Sequence, residues 1–257
     1  MSPPLFSVEQ RDRIRDRVLE MARADERVVA GAMVGSLAMG GGDRWSDLDL
    51  AFGLAPGVKA ADILGEWTRA LEREFEAVHL FDLSYLSTIF RVFLFPGSLQ
   101  VDLSFVPGAE FGALGPKFRL LFGDTVERAH IPTPSAPYLF GLGVHHAVRA
   151  RFCIERGRPW QAEYWIHGVR DQAMSLACLR RGLAPAYGRG YDDLPAEALA
   201  LFADALVRST DREELLRTLG SAIEAMLRES GAVPDLASRV EDGLRGLLSA
   251  RWPEGQK

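Results

Sequence analysis

Apolar residues follow two different rhythms along this chain. Up to about residue 106 they come in short runs broken by glycine and proline, and beyond residue 138 they recur at helical spacings of three and four. Ser7 followed by Gln10 predicts a capping box opening a helix that runs to about Ala24. The run VVAGAMVGS, 28–36, predicts a buried strand, and the loop GGGDRWS separates it from a second strand, Leu48 to Phe52. Gly53, Pro56 and Gly57 end that strand, and Ile63, Leu64, Trp67 and Leu71 give 58–75 a helical pattern. Three extended segments follow at 77–84, 88–95 and 99–106, the last two joined by a Pro-Gly-Ser turn that reads as a hairpin.

Pro132, Pro134 and Pro137 exclude a regular element between 129 and 137 and predict a linker. Helices are predicted over 138–156, 159–182, 195–207, 211–229 and 235–250, the second entered at Pro159 and ended by Gly182. The expected fold class is α+β: a mixed β-sheet domain with flanking helices over 1–128, then an all-α helical bundle over 138–257.

The 257 residues, 47% hydrophobic and 25% charged, are those of an ordinary globular chain and exclude a disordered or collagen-like one. No stretch approaches the roughly 20 apolar residues that span a bilayer, and the N-terminus has no apolar signal core, so a cytoplasmic protein without a membrane partner is expected. Cys153 and Cys178 are too few and too far apart for a disulfide framework and read as buried thiols. A net charge of −5 argues against a nucleic-acid partner. Positive charge is nearly all arginine, with lysine only at 59, 117 and 257, which suits discrete pairing with carboxylates or phosphates. No signal for an oligomeric state is present.

Candidate chemistry lies in Gly35-Ser36, ten intervening residues, then Asp47-Leu48-Asp49-Leu50. On a strand, positions i and i+2 share a face, so Asp47 and Asp49 project together while Leu48 and Leu50 point into the core. Two carboxylates held so close repel, and the arrangement makes physical sense around a hard divalent cation. Asp102, between Val101 and Leu103, is a third acid at an otherwise apolar position, costly there unless paired or metal-bound. If its strand neighbours that of Asp49, the three acids can hold two Mg²⁺ ions. Asp82, in LFDLS, competes for the third place and ranks second.

The apolar strand, Gly-Ser, glycine-rich loop, Asp-x-Asp and an apolar-flanked Asp about fifty residues on resemble the DNA polymerase β type nucleotidyltransferase superfamily. A short catalytic domain followed by a helical domain is most similar to its aminoglycoside and lincosamide nucleotidyltransferases. The motifs cover roughly 28–106; the rest is similar only in architecture. The resemblance implies that Gly35 and Ser36 receive the triphosphate of ATP or another NTP, and that Asp47, Asp49 and Asp102 ligate the metal. It also implies transfer of a nucleoside monophosphate, AMP first among them, to a hydroxyl of a small-molecule acceptor such as an antibiotic, with release of pyrophosphate. In those relatives an acid of the helical domain serves as base toward the acceptor, and Glu163 is the candidate. It starts a stripe of Glu163, His167, Arg170 and Met174 opposite the apolar face Ala162, Ile166, Val169, Ala173 and Leu176.

Two other readings compete: a protein-modifying, antitoxin-type nucleotidyltransferase, which the length disfavours, and a catalytically silent nucleotide-binding regulator, which the complete acid set disfavours. Arg44 and Lys117 read as solvated side chains, with neutralisation of phosphate charge the alternative for Lys117 as the only lysine between 60 and 256. His145 and His146 point about 100° apart on a helix and cannot readily share an ion. Trp160, Tyr164 and Trp165 read chiefly as packing, with an acceptor pocket as the alternative.

Overall fold

The computed structural model describes residues 5–249. The fold is α+β, and the chain divides into two compact units, Met1–Ile131 and Pro132–Lys257.

In the first unit, α1 (Val8–Ala24) opens on the expected capping box: Ser7 Oγ accepts from the Gln10 N–H, and the Gln10 side chain accepts from the Ser7 N–H. There follow β1 (Val28–Val34), β2 (Leu48–Leu54), α2 (Ala60–Phe75), β3 (Val78–Tyr85), β4 (Thr88–Phe95), β5 (Leu99–Pro107) and β6 (Phe118–Phe122). The six strands form one mixed sheet in the order β3-β4-β5-β2-β1-β6. Its one parallel pair is β2 with β5, brought together by the excursion through α2 and the β3–β4 hairpin.

One sheet face carries the core. Leu48, Leu50, Phe52 and Leu54 of β2, with Leu99, Val101, Leu103 and Phe105 of β5, are buried with Ile14 and Val18 of α1 and Ile63, Trp67 and Leu71 of α2. Trp67 meets Phe52 and Phe105 edge-on, with ring centroids 5.3 and 5.4 Å away. The opposite face holds only a small cluster of Ala30, Ala32, Val106 and Phe111. Period-two alternation thus frees the odd positions of β2 and the even positions of β5 for polar side chains.

Strand β6 has no counterpart among the expected elements. Its sequence, FRLLF, lacks the alternation that marks a half-buried strand, and it forms because β1 offers it an open antiparallel edge. At the other edge β3 is exposed over nearly its whole length, contrary to what its apolar sequence suggests.

The second unit is all-helical: α3 (Ala136–Glu155), α4 (Pro159–Arg180), α5 (Ala196–Asp204), α6 (Arg212–Arg228) and α7 (Pro234–Ser249). The expected stop of α7 at Ala250 lies outside the described residues. Ala162, Ile166, Val169, Ala173 and Leu176 form the buried face of α4, as their spacing predicts. Small residues let the helices approach closely: a Cβ on Gly143 would lie 2.3 Å from Met226 Sδ, and one on Gly168 2.5 Å from His146 Nδ1. Cys153 and Cys178 are buried free thiols. No described helix is long and apolar enough to cross a membrane.

Candidate active site

β1 ends at Val34, paired with Asp49 of β2. The chain then turns at Gly35, whose φ of 71° and ψ of −154° fall in a region open in practice to glycine alone. A Cβ at Gly35 would sit 2.0 Å from Asp49 Oδ2 and 3.0 Å from Asp49 Cγ. Glycine is therefore required twice, by the backbone and by the carboxylate packed against its bare Cα. The Gly35 N–H donates to the Lys117 carbonyl at 3.2 Å, which ties the turn to the residue preceding β6. Ser36 begins a single 3₁₀ turn, Ser36–Met39, and its buried hydroxyl has no hydrogen-bond partner among the described residues.

On the parallel pair, Asp49 lies directly beside Asp102. Their neighbours Leu48, Leu50, Val101 and Leu103 are fully buried on the helix side, so alternation turns both carboxylates to the opposite face. Asp102 is half-buried. Burial raises its carboxyl above the ordinary range, a hydrogen bond from Gln100 Nε2 at 3.1 Å opposes the shift, and the charge of Asp47 adds to it.

Asp47 stands one residue before β2 and lines a cavity of about 410 Å³ together with Ser36, Asp43, Trp45, Ser46 and Gln100. The loop carrying it is held from α1. The buried Arg11 donates from one guanidinium nitrogen to the carbonyls of Asp43 and Ser46, both at 2.8 Å. Asp43 Oδ1 accepts from the Trp45 N–H at 2.9 Å and from the Ser46 hydroxyl at 3.1 Å, a local side-chain turn. Arg44 stacks on Trp45, its guanidinium 4.2 Å from the ring centre.

Among the described residues no three His, Cys, Asp or Glu side chains are gathered tightly enough to hold a metal ion. Acids on one face repel each other, and Asp47 raising the Asp102 carboxyl is that repulsion. The donor set nonetheless fits a hard divalent cation in kind. It is made of carboxylates, and a cation there would offset both burial of the Asp102 charge and its repulsion by Asp47. The unpartnered Ser36 hydroxyl fits a phosphate oxygen in the same way.

The other candidates separate clearly. Asp82 sits on edge strand β3 and is held by Arg91 through two hydrogen bonds of 2.7 and 2.6 Å, with His79 at 3.0 Å. Arg91 depresses its carboxyl below the ordinary range. An acid already satisfied there, with β4 and β5 between it and β2, is remote from Asp49. Glu163 is half-buried on the first turns of α4. His167 Nδ1 lies 2.6 Å from the Arg170 guanidinium, so its ring is engaged with Arg170. Trp165 packs on His145 and His146 with ring centroids 6.0 and 5.0 Å away, whereas Trp160 and Tyr164 are exposed. The Lys117 side chain is exposed, while its carbonyl holds the Gly35 turn.

Arg11, Gln100 and the Asp43–Ser46 turn escaped the sequence reading. Only Asp43, with Ser46 three residues on, carried a local signal, that of a side-chain turn.

No protein-family model matches the sequence, and no curated protein is significantly similar to it. Among solved structures the chain is similar to an aminoglycoside 6-adenyltransferase from Bacillus subtilis, with a TM-score of 0.37 and 13% identity over 92% of this chain and 97% of that one. At that distance the likeness assigns neither a family nor an activity.

Proposed function

We propose that the chain is a nucleotidyltransferase that moves a nucleoside monophosphate, AMP first among them, from an NTP to a hydroxyl of a small molecule and releases pyrophosphate. The observation that carries the reading is the pairing of Asp49 with Asp102 on adjacent parallel strands, with the Gly35-Ser36 turn packed against Asp49. Asp47, Asp49 and Asp102 would hold Mg²⁺, which when bound offsets the negative charge gathered around the reacting phosphate.

The chain's own groups account for the remaining work. The Ser36 hydroxyl lacks a partner and can donate to a triphosphate oxygen. Glycine at 35 leaves room for the Asp49 carboxylate against the turn that presents Ser36. The loop from Asp43 to Asp47, pinned by Arg11, keeps its shape as the ligand enters, which limits the ordering cost of binding. In the second unit Glu163 is the proposed base. Its carboxylate takes the proton of the acceptor hydroxyl as the new P–O bond forms and the bond to the leaving pyrophosphate breaks.

The test is incubation with NTPs and Mg²⁺ against a panel of aminoglycosides, lincosamides and small alcohols, read by mass spectrometry. An acceptor heavier by one nucleoside monophosphate residue, formed with pyrophosphate and lost on adding EDTA or in Asp49→Asn, is the expected result. Calorimetry that finds no Mg²⁺-dependent NTP binding at all would overturn the reading.

A further inference from the structure

The helical unit contains a cavity of its own, about 570 Å³, formed where the loop after α4 folds back over the start of α3. Tyr138 lines it from α3, Asp171, Gln172 and Ser175 from α4, and Tyr187 and Tyr191 from the loop. Among the described residues, Asp171 is its one charged lining side chain. Its neighbour Arg170 makes its hydrogen bonds elsewhere, to the Ala205 carbonyl at 2.9 Å and with His167 Nδ1 at 2.6 Å, although its charge still acts on Asp171.

The carboxylate is held in place from within. The Tyr191 hydroxyl donates to Asp171 Oδ1 at 2.6 Å and lies 2.9 Å from Ser175 Oγ. Among the described residues, Oδ2 receives a long contact, 3.4 Å, from Gln172 Nε2. One carboxylate oxygen thus fixes the group while the other keeps accepting capacity.

The loop presents an aromatic ring at the opening. Tyr187 is 92% exposed, and both it (φ 58°) and Gly188 (φ 70°) are left-handed, a conformation that tyrosine rarely adopts. The ring already meets one cation, the Arg189 guanidinium at 5.2 Å. Three tyrosines around a single carboxylate offer a cation ring faces and a counter-charge, whereas an anion meets the repulsion of the Asp171 charge.

We propose that this cavity binds a small organic ammonium ion, lodged among Tyr138, Tyr187 and Tyr191 with its charge toward Asp171. The site lies wholly within the helical unit, and the proposal does not rest on nucleotidyl transfer.

Ligand-observed NMR titration of the full chain tests it, with choline against 3,3-dimethyl-1-butanol, which has the same shape without the charge. Choline should bind about tenfold or more tighter than the alcohol, the range that cation–π contact supplies. Tyr187→Ala, at an exposed position where folding is safe, should weaken choline binding by about two- to fivefold, the worth of one cation–π contact at an exposed site. Asp171→Asn should bring the two compounds level. Equal binding of both to the wild type, no binding of choline at millimolar concentration, or wild-type affinity in Tyr187→Ala would each overturn the proposal. The Tyr187 variant keeps the test decisive if Asp171→Asn disturbs the Tyr191 network.

Discussion

Substituting alanine for Gly35 probes the turn that links β1 to the acid strand. Two costs are separable in the geometry. The backbone at φ 71°, ψ −154° is strained for any residue with a side chain, by about 1 to 3 kcal/mol. The new methyl also meets Asp49 Oδ2 at 2.0 Å and Cγ at 3.0 Å, which forces the carboxylate aside at a further cost of about 1 to 3 kcal/mol, typical of overpacking. Asp49→Ala deletes both of those atoms and leaves only the residue-49 Cβ, at 3.4 Å in ordinary contact. In that background Gly35→Ala should therefore carry the backbone cost alone. Urea denaturation of the four proteins of the cycle, without Mg²⁺, measures the difference, and the loss specific to Asp49→Ala cancels. The expected coupling is about 1 to 3 kcal/mol. Additivity of the two substitutions within about 0.5 kcal/mol would refute the packing of Gly35 on the Asp49 carboxylate.

Four further outcomes follow from the same structure. Ser36→Ala should stabilise the ligand-free protein by up to about 1 kcal/mol in urea titrations, because it removes a buried unpartnered hydroxyl, while weakening Mg²⁺-dependent NTP binding in calorimetry. Asp102→Asn should likewise raise stability at pH 7 without metal, since burial disfavours its charge, and lower transfer by orders of magnitude in the mass-shift assay. Asp82→Asn should leave transfer unchanged and cost less than about 1 kcal/mol at pH 7, the usual worth of a surface ion pair. Because Asp82 titrates below its unfolded value, that difference is present above a pH of about 3.9 and should disappear in stability curves taken as pH falls below it through the folded value. Glu163→Gln should lower kcat by about 10² to 10⁴ with little change in NTP affinity in steady-state and binding assays, and an unchanged kcat removes it as the base.

What the sequence made legible was local. The Ser7–Gln10 box, the proline entry to α4 and the alternation of Leu48, Leu50 and Phe52 each involve residues a few positions apart, where strand or helix period decides which side chains share a face. The adjacency of Asp49 and Asp102 could be framed only as a condition, because the choice of β5 as the partner of β2 is made by topology. Strand β6 escaped for the same reason: its residues extend because β1 has a vacant edge. Asp82 looked equivalent to Asp102 in its apolar flanks, and what separates them is Arg91, nine residues away on the paired strand. The tyrosine-lined cavity rests on an irregular loop whose two left-handed residues no periodicity reports.

The alternation of β2 also separates stability from chemistry along a single strand. Leu48, Leu50 and Phe52 fill the face under α1 and α2, so truncating any of them opens a cavity in the core. Asp49 stands at the intervening position, where the opposite face carries a small apolar cluster, so a change there alters charge and leaves that packing intact. Asp102 repeats the arrangement between the buried Val101 and Leu103 of β5. A one-residue slip between β2 and β5 would place an acid beside a leucine or valine and bury it against the helices, at a cost of several kcal/mol per carboxylate. The fully buried aliphatic positions thus enforce the register that sets Asp49 beside Asp102.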